Sequence, residues 1–269
     1  MEKGETGVTD WAELSRELER LLHLRTHPIA FRRLEKAEEL EKIPKVRKPH
    51  HFYTLCQAMG LVRIAGQTIG ITKENLNVRC ATILGLRAPH PGCDTERVGQ
   101  FFETEEDTKR QYEAQCNIPL GNAEAVVMAP LASEKFDPEM ILIFGTPAQM
   151  LMMLTGLQWR DYTRFQFYFS GEDSCADSIA ECYNNGTTYL SIPCYGERVL
   201  GSVQDDELLL AIPSNTLDKM VAGIRSIAKG GLTYPITPVG LRLDMAPFMT
   251  KAYGPALVKR AVEGTDVTD

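Results

Sequence analysis

The sequence predicts an α+β protein: two pseudo-equivalent α/β halves, derived from an internal duplication and packed as one compact unit. Strand patterns alternate with amphipathic helix patterns along the chain. Two strand–turn–helix passages resemble each other, and no linker is long enough to separate two independent domains. We therefore expect residues 1–269 to form a single domain.

The individual elements follow from local signals. In "TDWAELSRELERLLHL", Thr9 or Asp10 can cap an amphipathic helix. "FYTLCQAMGLVRIAG" predicts a buried helix that stops at Gly66, and Pro147 suits the start of another helix. Further strands are predicted at "PIAFRRL", "EAVVMAPLA", Met140–Phe144 and "RFQFYFSG". The end of the chain, residues 245–269, is predicted to be a helical tail.

The duplication rests on matching "PEMILIFGTPAQMLMMLTGL" with "DELLLAIPSNTLDKMVAGI". Upstream of each passage, one cysteine begins a short helix and a second follows extended structure. The pseudo-repeats cover residues 50–160 and 165–235, and the first contains an insertion at 87–122. This alignment pairs four cysteines, which would converge if the halves pack about a pseudo-two-fold axis: Cys56 with Cys175 and Cys80 with Cys194.

Charge and hydropathy exclude some classes of partner. The net charge is -7, which argues against nucleic acid because nucleic-acid-binding proteins usually present a basic face. The basic run Lys42–His51 is read as a solvated connector or as a rim that attracts small anions. No apolar run is long enough to span a membrane and the start lacks a signal-peptide core, so we expect a cytoplasmic protein.

The seven cysteines are an odd number in a chain without a secretion signal, so a disulfide scaffold is not expected. They are left as buried hydrophobic residues, nucleophiles or metal ligands. Thiolates bind zinc or iron–sulfur clusters, and the mainly apolar surroundings favour the cluster. For any single cysteine, burial as a small hydrophobic residue is the commoner role. Cys93, Cys116 and Cys182 have no counterpart in the duplication and are predicted to be structural.

A nucleophilic cysteine is the other chemical interpretation. Cys175 is predicted near a helix N-terminus, where the helix dipole would stabilise its thiolate. Glu172, Asp173 and Asp177 oppose this effect, because negative neighbours raise the pKa of a thiol. Cys80 directly follows Arg79, a cationic neighbour that would favour its thiolate. No histidine lies close in sequence to either cysteine, so the sequence leaves this interpretation open.

Several motifs in order resemble the family called domain of unknown function 169: "FYTLCQA", "CATILGL", "VVMAPL", "ILIFGTPAQ", "FSGEDSCAD", "IPCYGER", "DDELLLAIP" and "GGLTYPI". The resemblance extends from about Pro28 to Ile236. It implies a shared site at the positions of Cys56, Cys80, Cys175 and Cys194, and a setting in archaea and anaerobic bacteria. It implies no particular reaction.

The leading hypothesis is therefore an iron–sulfur protein with a 4Fe–4S cluster on those four cysteines, acting in reductive chemistry or electron delivery in anaerobic metabolism. It could be a reductase or dehydratase of a small anionic or aromatic substrate. The candidate substrate-binding residues are Arg79, Arg198, Glu172 and Tyr195. The expected partners are a small-molecule substrate or a redox partner protein, with a homodimer as one arrangement. The alternatives are a non-redox metabolite-binding protein with structural cysteines, and a thiol-dependent enzyme using Cys175 or Cys80.

Overall fold

A six-stranded sheet forms the centre of the molecule. The structure is a computed structural model that describes residues 9–238 apart from residues 90, 91, 93, 94, 96 and 134. The strands are β1 (Ile29–Leu34), β2 (Ile69–Thr72), β3 (Ala125–Pro130), β4 (Met140–Gly145), β5 (Tyr189–Ser191) and β6 (Leu208–Pro213). Their order is β2-β3-β1-β4-β6-β5, and every neighbouring pair is antiparallel. The predicted α+β class is confirmed.

Helices cover both faces of this sheet. They are α1 (Trp11–Leu22), α2 (Leu55–Ala65), α3 (Val78–Ile83), α4 (Glu105–Ala114), α5 (Pro147–Gln158), α6 (Glu181–Asn185), α7 (Tyr195–Gly201) and α8 (Leu217–Lys229). A short π-helical segment, Ala176–Ala180, leads directly into α6. The capping residues agree with the sequence: Asp10 accepts the N–H of Glu13 at the start of α1, and Thr54 caps α2.

The central strands are buried on both faces, so alternate residues enter two different cores. On β4, Leu142 faces the core built with α2 and the π segment. Ile141 and Ile143 face the opposite core, built with α1, α5 and α8. The molecule therefore has a sheet between two helical layers. We call them the thiol face, which carries α2 and the π segment, and the methionine face, which carries α5 and α8.

One predicted strand is wrong. The segment "RFQFYFSG" forms no strand, and the residues around Tyr168 and Phe169 are exposed. Among the described residues, β5 at that edge of the sheet pairs with β6 and not with this segment. Its aromatic residues pack locally instead: the ring of Phe165 stacks on that of Phe167 with centroids 5.8 Å apart.

The internal duplication is not confirmed. The alignment equated β4 with β6, yet these strands are hydrogen-bonded neighbours. Exchanging β1 with β4, β2 with β5 and β3 with β6 gives the same strand order read from the opposite edge of the sheet. By this symmetry the counterpart of β6 is β3, not the β4 of the alignment. The duplication therefore stays a prediction. The structural role of Cys93 and the helical tail 245–269 lie outside the described residues.

Candidate functional site: a cluster of buried thiols

Four cysteines lie at the starts of helices on the thiol face. Cys56 is the second residue of α2, and Cys80 the third of α3. Cys175 directly precedes the π segment, and Cys194 directly precedes α7. Backbone N–H groups at a helix start have no partner within the helix, so they are available to nearby sulfur atoms. These are the four cysteines that the sequence selected.

Glycines allow α2 and α7 to approach closely at this point. A Cβ atom added at Gly201 would lie 3.0 Å from the carbonyl oxygen of Cys56. A Cβ atom added at Gly196 would lie 3.7 Å from the Sγ of Cys194 and 3.9 Å from the Sγ of Cys56. The contact between the two helices therefore places the two sulfur atoms beside the same glycine.

Cys56 and Cys194 form a hydrogen-bonded pair. The thiol of Cys56 donates to Cys194, and this bond lowers the pKa of Cys194 below its ordinary value. Ser174 and the backbone N–H of Glu197 add hydrogen bonds that act in the same direction and outweigh the effect of burial. The same pairing raises the pKa of Cys56. Within the pair, negative charge is therefore favoured on Cys194 over Cys56.

Cys80 and Cys175 are neutral thiols beside this pair. Burial raises the pKa of Cys80 to about 11, although its sulfur accepts a hydrogen bond from the backbone N–H of Leu55. Burial also raises the pKa of Cys175 well above its ordinary value, and the neighbouring Cys80 adds to this effect. Each of the four thiols is close enough to at least one of the others for charge on the neighbour to shift its pKa.

A buried serine and glutamate complete the cluster. The hydroxyl of Ser174 donates to Glu197 Oε2 at 2.6 Å and accepts the N–H of Cys194 at 3.1 Å. Glu197 is 1% exposed. Burial raises its pKa to about 8, and the charge of Cys194 contributes to this shift. Sequence reasoning missed both residues. The motif "IPCYGER" held a signal for Glu197, since residues three apart at a helix start lie on one side.

An ionic network lies next to the cysteines. Asp173 adopts a left-handed backbone with φ 55° and accepts hydrogen bonds from Arg79 Nε at 2.8 Å and Gln111 Nε2 at 2.7 Å. Arg97 joins it at 3.2 Å and binds Glu172 at 2.6 Å. All of these groups are largely buried. The network therefore ties the insertion, which supplies Arg97 and Gln111, to the segment that precedes Cys175.

The predicted substrate-binding residues are placed differently from one another. Arg79 and Glu172 belong to the ionic network, so their charges already have partners. Arg198 donates to the carbonyl oxygen of Gln204 at 2.7 Å. Tyr195 is 66% exposed and makes an edge contact with Phe101. A substrate-binding role for these four residues stays a prediction.

The predicted iron–sulfur function is wrong. Within residues 9–238, leaving aside the six positions not described, no group of three or more His, Cys, Asp or Glu side chains is arranged to hold a metal ion. The physical reason lies in the hydrogen bonds of the sulfur atoms. Cys56 and Cys194 are hydrogen-bonded to each other, and the sulfur of Cys80 accepts a hydrogen bond from the backbone N–H of Leu55. The sulfur atoms therefore do not form an open ligand set.

The two remaining described cysteines lie apart from this site. Cys182 is the buried second residue of α6, and burial raises its pKa to about 12. Cys116 accepts a hydrogen bond from Asn184 Nδ2 at 3.4 Å. Both surroundings suit the structural role that the sequence predicted.

The family model described as "Uncharacterised ArCR, COG2043" (DUF169) matches residues 17–223, more than half of the chain. The chain, with its mixed fold and cysteine cluster, therefore belongs to that family, as the motifs predicted. One relative is the "Uncharacterized protein MJ0308" of Methanocaldococcus jannaschii, 32% identical over 126 residues. That match covers 46% of this chain and 53% of the relative, so the chain spans about half the relative's length.

No solved structure gives a significant match to the chain. The family carries no assigned reaction, and neither comparison indicates iron–sulfur chemistry. Across the part of the chain that the structure describes, no helix has the length and apolar character needed to cross a membrane.

Proposed function

We propose that this protein performs dithiol–disulfide chemistry, with Cys194 as the attacking thiolate and Cys56 as the resolving thiol. The observation that carries the proposal is the hydrogen bond from Cys56 to Cys194, which couples a thiolate to a thiol inside a buried cluster. Since the thiolate is the nucleophilic form of cysteine, a depressed pKa at Cys194 supplies it near neutral pH.

The reaction takes two steps. The Cys194 thiolate attacks one sulfur of a disulfide, forms a mixed disulfide, and releases the other sulfur as a thiolate. Cys56 then attacks the Cys194 sulfur, and its proton passes to the first substrate thiolate, which becomes a thiol. This second attack forms the Cys56–Cys194 disulfide and releases the second substrate thiolate. The substrate disulfide is reduced by two electrons and the protein dithiol is oxidised by two.

Cys194 suits the attacking role better than the two cysteines that sequence reasoning considered as nucleophiles. Burial holds the pKa of both Cys175 and Cys80 above the ordinary range, so they are protonated near neutral pH. Their acidic neighbour Asp173 acts in the same direction. Cys80 and Cys175 are then the apolar wall of the site rather than its nucleophiles.

Mass spectrometry after incubation with oxidised glutathione tests this function. The wild-type protein should acquire an intramolecular disulfide between Cys56 and Cys194, with little glutathione retained. Cys56→Ser should accumulate a mixed disulfide at Cys194, because the resolving thiol is absent. Cys182→Ser, which removes a buried thiol elsewhere, should behave as the wild type. The proposal fails if the wild type stays unmodified, or if glutathione labels the cysteines without preference.

A cavity favours a second function, the binding of a small anion. It has a volume of about 730 Å³ and is lined by Arg47, His50, His51 and Tyr53, with Leu61 and Ile69 among its apolar residues. This volume falls within the range usual for small-molecule sites. Among the described residues, no hydrogen bond or ion pair occupies the Arg47 side chain. The Arg47 backbone is fixed by hydrogen bonds with Thr68 and Gly70.

Calorimetry with two probes tests the cavity. Inorganic phosphate offers charge alone, whereas benzoate adds an aromatic ring that would contact Leu61 and Ile69. We expect benzoate to bind more tightly than phosphate, and Arg47→Met to weaken both. Lys229→Met, which removes a cation at the end of α8, is the matched control. Equal binding by wild type and Arg47→Met would contradict this second function.

A further inference from the structure

Glu197, the acid of the cluster, forms no salt bridge among the described residues. Its neighbour Arg63 directs one terminal nitrogen to Glu207 at 3.2 Å and the other to the carbonyl oxygen of Ser202 at 2.8 Å. Glu207 is thereby paired with Arg63 in a buried salt bridge. Glu197 receives one neutral donor, the hydroxyl of Ser174. Two buried carboxyl groups near one arginine therefore have opposite surroundings.

The second oxygen of Glu197 carries the inference. Oε1 is buried and has no hydrogen-bond partner among the described residues. A buried carboxyl oxygen without a partner is costly, so its presence in a native site calls for a role. Glu197 lies one helical turn after Cys194, and its charge acts on Cys56 and Cys175 as well as on Cys194. Arg63 and Arg198 are the cations that face it.

We propose that Glu197 is the proton acceptor for Cys56 in the resolving step, an inference that rests on the proposed dithiol function. In the resting site Cys194 is a thiolate and Glu197 is a carboxylic acid. The first attack converts Cys194 into a neutral disulfide, and Glu197 gives its proton to the departing substrate thiolate. Glu197, now a carboxylate, takes the proton of Cys56 as Cys56 attacks Cys194. The second substrate thiolate then leaves.

Charge and protons balance in this sequence. The site begins with one negative charge on Cys194, and the products carry one negative charge on the second substrate thiolate. Two protons, on Cys56 and Glu197, become one on Glu197 and one on the first substrate thiol. The environment assists the exchange, because the Cys194 charge is one cause of the raised Glu197 pKa. Loss of the Cys194 charge in the mixed disulfide lowers the pKa of Glu197 and favours release of the Glu197 proton.

An aromatic disulfide that liberates a coloured thiolate separates the two steps. The wild type should release two aromatic thiols per protein molecule, both coloured as thiolates once in solution, the first from attack by Cys194 and the second from resolution by Cys56. Glu197→Gln should retain the first release and slow the second at least about 100-fold, since general-base assistance is of that order. Glu181→Gln, an acid on α6 outside the cluster, should match the wild type.

A second variant provides a readout independent of the folding of Glu197→Gln. The Ser174 hydrogen bond lowers the pKa of Glu197, so Ser174→Ala should shift the pH profile of the second release to higher pH. A second release at the wild-type rate in folded Glu197→Gln overturns the role of Glu197. So does an unshifted profile in Ser174→Ala. If the wild type itself releases no second thiolate, the dithiol function fails instead, which distinguishes the two failures.

Discussion

The thiol face and the methionine face use the same packing device for different ends. On the methionine face, α5 crosses α8 where a Cβ atom added at Gly223 would lie 1.9 Å from the carbonyl oxygen of Gly156. On the thiol face, α2 crosses α7 where a Cβ atom added at Gly60 would lie 3.1 Å from the carbonyl oxygen of Gly201. Close helix packing is thus common to both faces.

What differs is the chemistry buried at the crossing. The methionine face contains Met150, Met153 and Met220 among aliphatic side chains. The thiol face buries cysteine thiols together with the carboxyl group of Glu197 and the guanidinium group of Arg63. Burying such polar or charged groups costs free energy unless they have hydrogen-bonding or ionic partners. A tight helix crossing in this molecule thus becomes a candidate reactive site where buried polar groups are brought together. Substitutions on each face test this difference.

The largest expected effect is on the buried ion pair of the thiol face. Arg63→Met should lower the free energy of unfolding by about 3–5 kcal/mol, because Glu207 would be left buried and charged without its partner. The side chains are 1% and 2% exposed. Arg25→Met, which removes the partner of exposed Asp206, should cost less than about 1 kcal/mol. Urea denaturation would measure both, and equal losses would refute the distinction.

Glycine substitutions test the crossings themselves. Gly223→Ala should destabilise the protein by about 3 kcal/mol, since the new methyl group would overlap a backbone oxygen and force α5 and α8 apart. Gly60→Ala meets the backbone at a longer distance and should cost about 1 kcal/mol or less. Thermal unfolding of both variants would show the order. A more severe loss for Gly60→Ala would reverse our ranking of the two crossings.

Glu197 should make stability depend on pH. Its pKa is raised from 4.5 to about 8 in the folded protein, so its contribution is complete below 4.5 and is lost as pH rises towards 8. Between about pH 5 and pH 7 the wild type should lose about 2 kcal/mol relative to Glu197→Gln. Cys194 acts in the opposite direction but is present in both proteins. Parallel stability curves would contradict the raised pKa.

The smallest effect compares matching helix caps. Thr54 caps α2 and Thr146 caps α5, each in a capping box with a glutamine. Thr54→Ala and Thr146→Ala should each cost about 1 kcal/mol. Thr54→Ala alone should slow reaction of the protein with oxidised glutathione, because it loosens the helix start that holds Cys56. Equal slowing by Thr146→Ala would show that general stability, not the site, controls reactivity.

Local signals in the sequence predicted most of the elements. The cap at Asp10, the stop at Gly66 and the apolar runs of β3 and β4 depend on neighbours within a few residues, so a single chain reveals them. The strand order could not be predicted, because it depends on pairings between distant segments. The segment "RFQFYFSG" shows this limit: its alternation is suitable for a strand, but no strand in the described part of the chain pairs with it.

The sequence selected four cysteines that lie close together, but it did not predict their chemistry, and their membership of a functional site stays a prediction. The family motifs selected Cys56, Cys80, Cys175 and Cys194, which the structure does place together. Their protonation could not be inferred, since it depends on which sulfur receives hydrogen bonds across the α2–α7 crossing. The acidic sequence around Cys175 suggested a poor nucleophile there, and burial acts in the same direction. The role of the Glu197 carboxyl group could not be predicted, because its burial depends on tertiary packing between distant segments.

A pH titration of the ultraviolet absorbance of thiolate, compared between wild type and Cys194→Ser, tests whether Cys194 is ionised near neutral pH. We expect the difference between the two curves, which reports Cys194, to persist well below the ordinary thiol pKa of about 8.5. Cys182→Ser should leave the curve unchanged near neutral pH, because burial raises the pKa of Cys182 to about 12. A difference curve that titrates at or above the ordinary thiol pKa would contradict the thiolate at Cys194, and with it the proposed dithiol chemistry.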